Sequence, residues 1–246
     1  ITPEFLQEAM GKEKYSVVFL QANETSTGVY NPIDDLIPII KENGALACVD
    51  ATSSMAGIKV EVDKLGIDVC LASVQKCFTV PPGLAVCSIS NDAIEKTSQV
   101  KNRGYYFDFL SIVKKNKDHQ TPTTPPIPQI RALTAQLDYI LNQEGLENRF
   151  ERHKRLGENT RNWARENGFE MFPEKGFESN TVSTIKNSLN LDIRKTVSTL
   201  LESGYRIVNG YGSLMDKTFR IGHMGEISIN SLKELLKVLT EIISEL

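Results

Sequence analysis

Apolar positions along the chain fall into two alternating rhythms. Short, nearly unbroken apolar runs of strand length occur at "YSVVFLQAN" (15–23), "ALACVDA" (45–51), "DVCLASV" (68–74) and "LAVCSIS" (84–90). Between the first two, "PIDDLIPIIKENG" (32–44) places Ile33, Leu36, Ile37 and Ile40 on one helical face and stops at Gly44. A short helix is predicted at 62–67 and a longer one at 92–101. The opening "ITPEFLQEAM" reads as a helix with Thr2 as its cap and Pro3 in its first turn. Strand, helix, strand, helix, strand predicts an α/β fold, a mainly parallel sheet flanked by helices.

The rhythm changes in the second half. Residues 116–128, "NKDHQTPTTPPIP", hold four of the ten prolines and have no period, which predicts a stiff loop. A long helical stretch follows over 129–168, interrupted at Gly145. Strands are expected at 181–187, 205–210 and 218–225, with a helix at 192–203 between them and an amphipathic helix from 228 to the end. This is a second, smaller α+β unit, and the expected division is 1–143 for the large domain and 144–246 for the small one.

Composition narrows the function classes. With 246 residues, 40% of them hydrophobic and 24% charged, the chain has material for a sizeable core. A net charge of −3 offers no electrostatic case for nucleic acid or an anionic membrane surface. No apolar run approaches the roughly 18–20 residues of a membrane span. The four cysteines, Cys48, Cys70, Cys77 and Cys87, form no CxxC and have no histidine at metal spacing. They are expected to be inert core thiols, which suits a reducing, cytoplasmic setting, with no metal.

Candidate chemistry sits just past the strand ends, where ligands of open α/β sheets bind. Asp50, Thr52 and Ser53 follow one strand, and Lys76 follows the next in "LASVQKCFTVPPGLAV". That strand reads as buried on both faces, and removing an ammonium from water is costly unless it is paired or neutralised. A desolvated lysine is a nucleophile, commonly one that forms a Schiff base with a carbonyl. Pyridoxal phosphate is such a carbonyl. It requires a lysine, a carboxylate at its ring nitrogen and donors for its phosphate.

The stretches "ANETSTGVYNPID", "CVDATSSMAG", "DVCLASVQKCFTVPPGLAV", "TPTTPPIP", "EGLENRFERH" and "RIGHMG" occur in one order over nearly the whole chain, from about residue 15 onward. In them the chain resembles the class V, fold-type I pyridoxal-phosphate aminotransferases, in particular the alanine–glyoxylate and serine–pyruvate branch. The resemblance implies transfer of an amino group between a small amino acid, alanine or serine, and a 2-oxo acid, glyoxylate or pyruvate. It implies Lys76 as the Schiff-base lysine and proton shuttle, and Asp50 as partner of the pyridinium nitrogen. Thr25, Ser73 and Gln75 would contact the ring or its phosphate. Thr124 would reach the phosphate bound by the other subunit of a homodimer, and Arg220 would seat the substrate α-carboxylate as a bidentate fork. His223 and Met224 receive no chemistry.

The chain departs from that family in two places. Some members have a tyrosine before the threonine of "TTP", where this chain has Gln120 and Thr121 nearby. Members also carry a further segment before "SVVFLQANETSTGV", with a Gly-rich phosphate turn, a stacking aromatic and a substrate-binding arm. Without these, the 246 residues are expected neither to hold the cofactor tightly nor to transaminate alone, and to associate either through the family's dimer surface around "TPTTPP" or by pairing of exposed sheet. Cysteine desulfurases share the fold, but they have histidine before the lysine and a reactive cysteine in the C-terminal half. Aminoethylphosphonate transaminases, with asparagine before the lysine, are the nearer alternative. A non-catalytic fragment is the third.

Overall fold

The computed structural model describes residues 1–245. Helix α1 (Pro3–Lys12) is capped by the Thr2 hydroxyl, which accepts the Phe5 N–H, with Pro3 in the first turn. Strand β1 (Val17–Gln21) then enters the main sheet. The run read as one strand over 15–23 breaks at Ala22, whose N–H is drawn to the Asp50 carbonyl at 2.9 Å. Beyond the break, β2 (Asn23–Glu24) pairs with β3 (Val29–Tyr30) in a small hairpin. Helix α2 (Ile33–Glu42) buries Ile33, Leu36, Ile37 and Ile40 completely, as their spacing predicts.

Strand β4 (Leu46–Asp50), helix α3 (Val62–Leu65) and strand β5 (Val69–Ser73) follow, then β6 (Ala85–Ile89). The sheet order is β1-β4-β5-β6. The first three strands are parallel, and β6 runs antiparallel to β5. The connection between β5 and β6, residues 74–84, contains no helix and turns back through Pro81-Pro82-Gly83 to the same edge of the sheet.

Helix α4 (Asn91–Ser98) packs beside α5 (Phe109–Lys117), which the apolar pattern did not announce. Helix α5 buries no residue completely, so it carries no period for burial to impose. The proline-rich loop leads into α6 (Ile127–Asp138), a π-helical turn over Tyr139–Glu144, and Gly145 at φ +83°, where the long helix is interrupted. Helix α7 (Leu146–Glu166) begins there.

Strand β7 (Val182–Lys186), helix α8 (Ile193–Glu202), β8 (Val208–Asn209), β9 (Thr218–Gly222) and helix α9 (Ile229–Glu245) complete the fold. Their sheet is antiparallel, in the order β7-β9-β8. One hydrophobic cluster lies between α1, α2 and one face of the main sheet, and a second joins β5 and the Lys76 turn to α6. A third runs from Leu156 to Ile242 around α7, α8 and α9. Among the described residues no helix is long and apolar enough to cross a membrane.

The main sheet is covered on one face only. Val17, Phe19 and Gln21 of β1 stand in register with Leu46, Cys48 and Asp50 of β4, and Val69 and Leu71 of β5 continue the same face. These residues line an open apolar recess of about 800 Å³. Phe19 is 80% exposed and Leu71 40% exposed, so β5 is not buried on both faces as its apolar run suggests. Cys48 also lines this recess and Cys87 is exposed, whereas Cys70 and Cys77 are core thiols, so the expectation for the four cysteines holds for two. Burial pushes the Cys70 thiol up to about 11 and that of Cys77 to about 12.

Candidate active site

Asp50 ends β4, and Ser73 ends β5, the adjacent parallel strand. Their carboxyl ends therefore lie on one edge of the sheet, where Lys76 follows after a further turn. The Asp50 carboxylate is half-buried, and its Oδ1 accepts the Thr52 N–H at 2.8 Å. This bond turns the chain out of the sheet, and Asp50 lines the recess.

Lys76 is half-buried, and its carbonyl accepts the Thr79 N–H at 3.0 Å. Its ammonium makes no ion pair or hydrogen bond among the described residues. The turn that carries it is strained: Thr79, a β-branched residue, sits in the left-handed region at φ +58°. Gly225 packs against this turn with φ +81°, and a Cβ there would lie 2.4 Å from Thr79 Oγ1. Only glycine fits that approach.

Thr25 lies in the turn of the β2–β3 hairpin. Its carbonyl accepts a hydrogen bond from Arg220 Nη1 at 3.1 Å, and Arg220 Nε donates to the Asn209 carbonyl at 3.2 Å. The guanidinium on β9 is thereby held to the large sheet's hairpin, with Nη2 uncommitted and able to meet a carboxylate. The other expected residues are less gathered. Gln75 is exposed, and neither Ser73 nor Lys76 lines the apolar recess. Thr124 stands apart, exposed in a shallow groove with His119 and Gln120.

A group with a reactive carbonyl, a basic ring nitrogen and a phosphate fits this donor set. The amine is uncommitted, a carboxylate is fixed at a strand end, and the hydroxyls of Ser73 and Thr25 would be its polar contacts. One buried acceptor in the same region, Asn23 Oδ1, has no partner. Its amide nitrogen donates to Ser53 Oγ at 2.7 Å and Thr181 Oγ1 at 3.3 Å.

The residue-by-residue reading of the sequence missed the polar hub behind this edge. Arg149 is fully buried, and its guanidinium donates to the Ala56 carbonyl at 2.8 Å, the Cys77 carbonyl, Glu144 at 2.6 Å and Glu226 at 2.8 Å. Burial pushes Glu144 up, but hydrogen bonds from Arg152 and Arg149 outweigh it and hold its carboxyl below the usual range. His153 Nε2 accepts the Gly225 N–H at 3.0 Å while Nδ1 faces the Arg149 carbonyl at 2.8 Å, which fixes the neutral Nδ1–H tautomer. Charged residues three and four apart in "EGLENRFERH" were the available signal, because that spacing puts Arg149, Arg152 and His153 on one helix face.

The chain is similar to several known proteins. The sequence profile described as aminotransferase class-V matches residues 1–210. An uncharacterized aminotransferase of Methanocaldococcus jannaschii is 38% identical over 242 residues, 96% of this chain and 62% of that protein. A serine–glyoxylate aminotransferase of Arabidopsis thaliana is 34% identical over 212 residues, covering 84% of this chain and 52% of its own length. Among solved structures, an alanine–glyoxylate aminotransferase from Nostoc sp. superposes with a TM-score of 0.91 at 27% identity, over 99% of this chain and 66% of that one. The chain thus spans just over half to two thirds of the length of these relatives. With the profile, the fold and the order of motifs in agreement, the chain belongs to the class V aminotransferase family.

Proposed function

We propose that this chain carries the lysine-bearing part of a pyridoxal-phosphate aminotransferase that moves an amino group between alanine or serine and glyoxylate or pyruvate. The observation that carries the reading is the placement of Asp50 and Lys76 beyond adjacent parallel strands, with the Arg220 guanidinium tied to the neighbouring Thr25 turn. The serine–glyoxylate and alanine–glyoxylate aminotransferases among its relatives support the substrate class. An L-aspartate–glyoxylate aminotransferase of Paracoccus denitrificans, 33% identical, keeps aspartate on the panel of donors.

Pyridoxal phosphate, when bound, supplies an aldehyde for the amine and a ring that takes up the electron pair released at the substrate α-carbon. Lys76 would hold the aldehyde carbon and afterwards carry the proton from the substrate α-carbon as general base. Asp50 would hold a proton on the ring nitrogen through a charge-assisted hydrogen bond. Ser73, Gln75 and Thr25 would contact ring and phosphate. Thr124 would serve the partner subunit's phosphate in a homodimer. Arg220 would orient the substrate by its α-carboxylate. Division at residue 143 suits this reading, because the buried residues of two hydrophobic clusters precede it and those of the third follow it, with Met224 packing onto one of the first two from beyond. The open sheet face beside Asp50 supports weak cofactor binding by these 246 residues alone.

The test uses the full-length protein that carries the chain. Borohydride reduction in the presence of pyridoxal phosphate should label the peptide containing Lys76, and Lys76→Ala should abolish both label and turnover. A panel of donors against glyoxylate and pyruvate should show alanine or serine first. Label on a different lysine, or activity on aminoethylphosphonate with none on alanine or serine, would overturn the reading.

A further inference from the structure

The loops after β4, β5 and β9 follow Asp50, carry Lys76 and follow Arg220, and one buried side chain touches all three. The loop after β4, which follows Asp50, reaches Arg149 through the Ala56 carbonyl at 2.8 Å. The loop after β5, which holds Lys76, reaches it through the Cys77 carbonyl. The loop after β9, the strand of Arg220, reaches it through the Glu226 carboxylate at 2.8 Å. Arg149 is 0% exposed, and its fourth partner is Glu144 in the π-helical turn that ends one residue before α7.

Two of these loops contain non-glycine residues in the left-handed region, Ala56 at φ +67° and Thr79 at φ +58°. Such residues persist only where their surroundings over-determine them, and they gather at functional sites. Arg149 grips the carbonyl of Ala56 itself and the carbonyl two residues before Thr79. From the next turn of the same helix, His153 accepts the N–H of Gly225, the residue that presses on Thr79. Arg152 Nη1 adds the carbonyls of Gly225 at 2.7 Å and Ile227 at 3.0 Å. Helix α7 therefore presents the Arg149 guanidinium to the loops after β4, β5 and β9, with Arg152 and His153 assisting at the last of them. A planar fork with several donors in fixed directions can hold several carbonyl and carboxylate groups at once, which an ammonium cannot.

We infer that Arg149 is a positioning residue: it fixes the strained Lys76 turn against the loops that follow Asp50 and Arg220, and so sets where the Lys76 amine stands. The inference rests on the proposed roles of Lys76 and Arg220, and its test separates the two. Arg149→Lys keeps a positive charge beside Glu144 and Glu226 but loses the fork. The control is Trp163→Phe, on the same helix, which removes the hydrogen bond from Trp163 Nε1 to Thr240 Oγ1 at 2.8 Å and touches no site loop.

Two readouts are taken on the full chain. Amide hydrogen exchange follows Thr79, Val80 and Gly225, with the β7–β9 ladder as internal reference. Pyridoxal phosphate is then used as an amine reagent, followed by borohydride, and the rate of label at Lys76 is read against the other lysines. Arg149→Lys should speed exchange at the three amides about tenfold, from lost charge-assisted hydrogen bonds, and slow label at Lys76 by a similar factor. Trp163→Phe should leave both at the unmutated chain's values even where its unfolding midpoint falls as far. Unchanged exchange in Arg149→Lys, or equal changes in the control, would overturn the inference. Faster exchange at the three amides together with label confined to another lysine in the unmutated chain would uphold the clamp and sink the reading of Lys76 instead.

Discussion

A buried imidazole must choose one charge state, and here two of them choose neutrality. Burial pushes His153 down to about 4, and the charges of Arg152 and Arg149 push the same way against the opposing pull of Glu144. His223 is lowered to about 3, by burial first and then by the charge of Arg161. His223 is held by Ser183 Oγ at 2.9 Å and the Asn180 carbonyl at 3.1 Å, so its place in "RIGHMG" is a packing role, in line with its lack of assigned chemistry. In both cases the folded value lies below the unfolded one. Between them the unfolded chain binds more protons, so stability is complete above about pH 6.5 and is lost as pH falls toward 4. The loss should reach roughly 2 kcal/mol per histidine by pH 5. Glu144 and Asp68 contribute in a lower window, because carboxyls held below their usual range lose their stabilisation only as pH falls through that lowered value. Urea titrations at pH 7, 6 and 5 should therefore show a falling midpoint, and His153→Gln should remove about half of that slope. A midpoint flat from pH 7 to 5 would show that neither imidazole is held neutral.

Among the elements, what was legible follows from which contacts write themselves into the sequence. Helix α2 could be read because Ile33, Leu36, Ile37 and Ile40 recur at helical spacing and are all fully buried in one cluster. The interruption at Gly145 could be read because a positive φ favours a residue without Cβ. Three parallel strands and an antiparallel β6 make the mainly parallel sheet that the alternating pattern predicts. Asp50 and Lys76 could be found from their positions at strand ends, whereas Arg149 could not be singled out. Its role comes from backbone carbonyls 93 and 72 residues away in sequence, and no local period records them. The same long-range packing decides Gly225, which reads as a plain turn glycine. Gly225→Ala must place a Cβ at φ +81° and against Thr79 Oγ1, costing about 2 kcal/mol or more. For a chain of this size that lowers the unfolding temperature by roughly 4–8 °C, measurable by calorimetry. The damage should centre on the Lys76 turn, visible as faster exchange of the Thr79 amide. A midpoint within a degree of the unmutated chain would mean that the turn has room that this packing denies it.

For the whole molecule, the unequal covering of the main sheet decides behaviour in solution. One face is packed by α1 and α2. The other presents Val17, Phe19, Leu46, Cys48, Val69 and Leu71 around the recess, with Asp50 at its polar end. Apolar surface of this extent favours association at about 25 cal/mol for each Å² removed from water. Strand β1 is also an edge of the sheet, so its outer backbone groups can pair with another chain. These 246 residues by themselves should therefore sediment as dimers or larger species at micromolar concentration, a second copy covering the open face. Phe19 is the residue to change, because at 80% exposure it contributes little to the fold and much to the patch. Phe19→Glu should shift the chain toward monomer in sedimentation velocity while its unfolding midpoint stays within about 1 kcal/mol of the original, as for a surface substitution. Persistence of the same oligomer in Phe19→Glu would move the contact to another surface, of which the exposed Tyr105, Tyr106 and Phe107 beside the proline-rich loop are the next to test. A monomer in both would mean that the recess stays in water, and that its apolar lining is kept for a ligand or a covering segment rather than for a second copy of the chain.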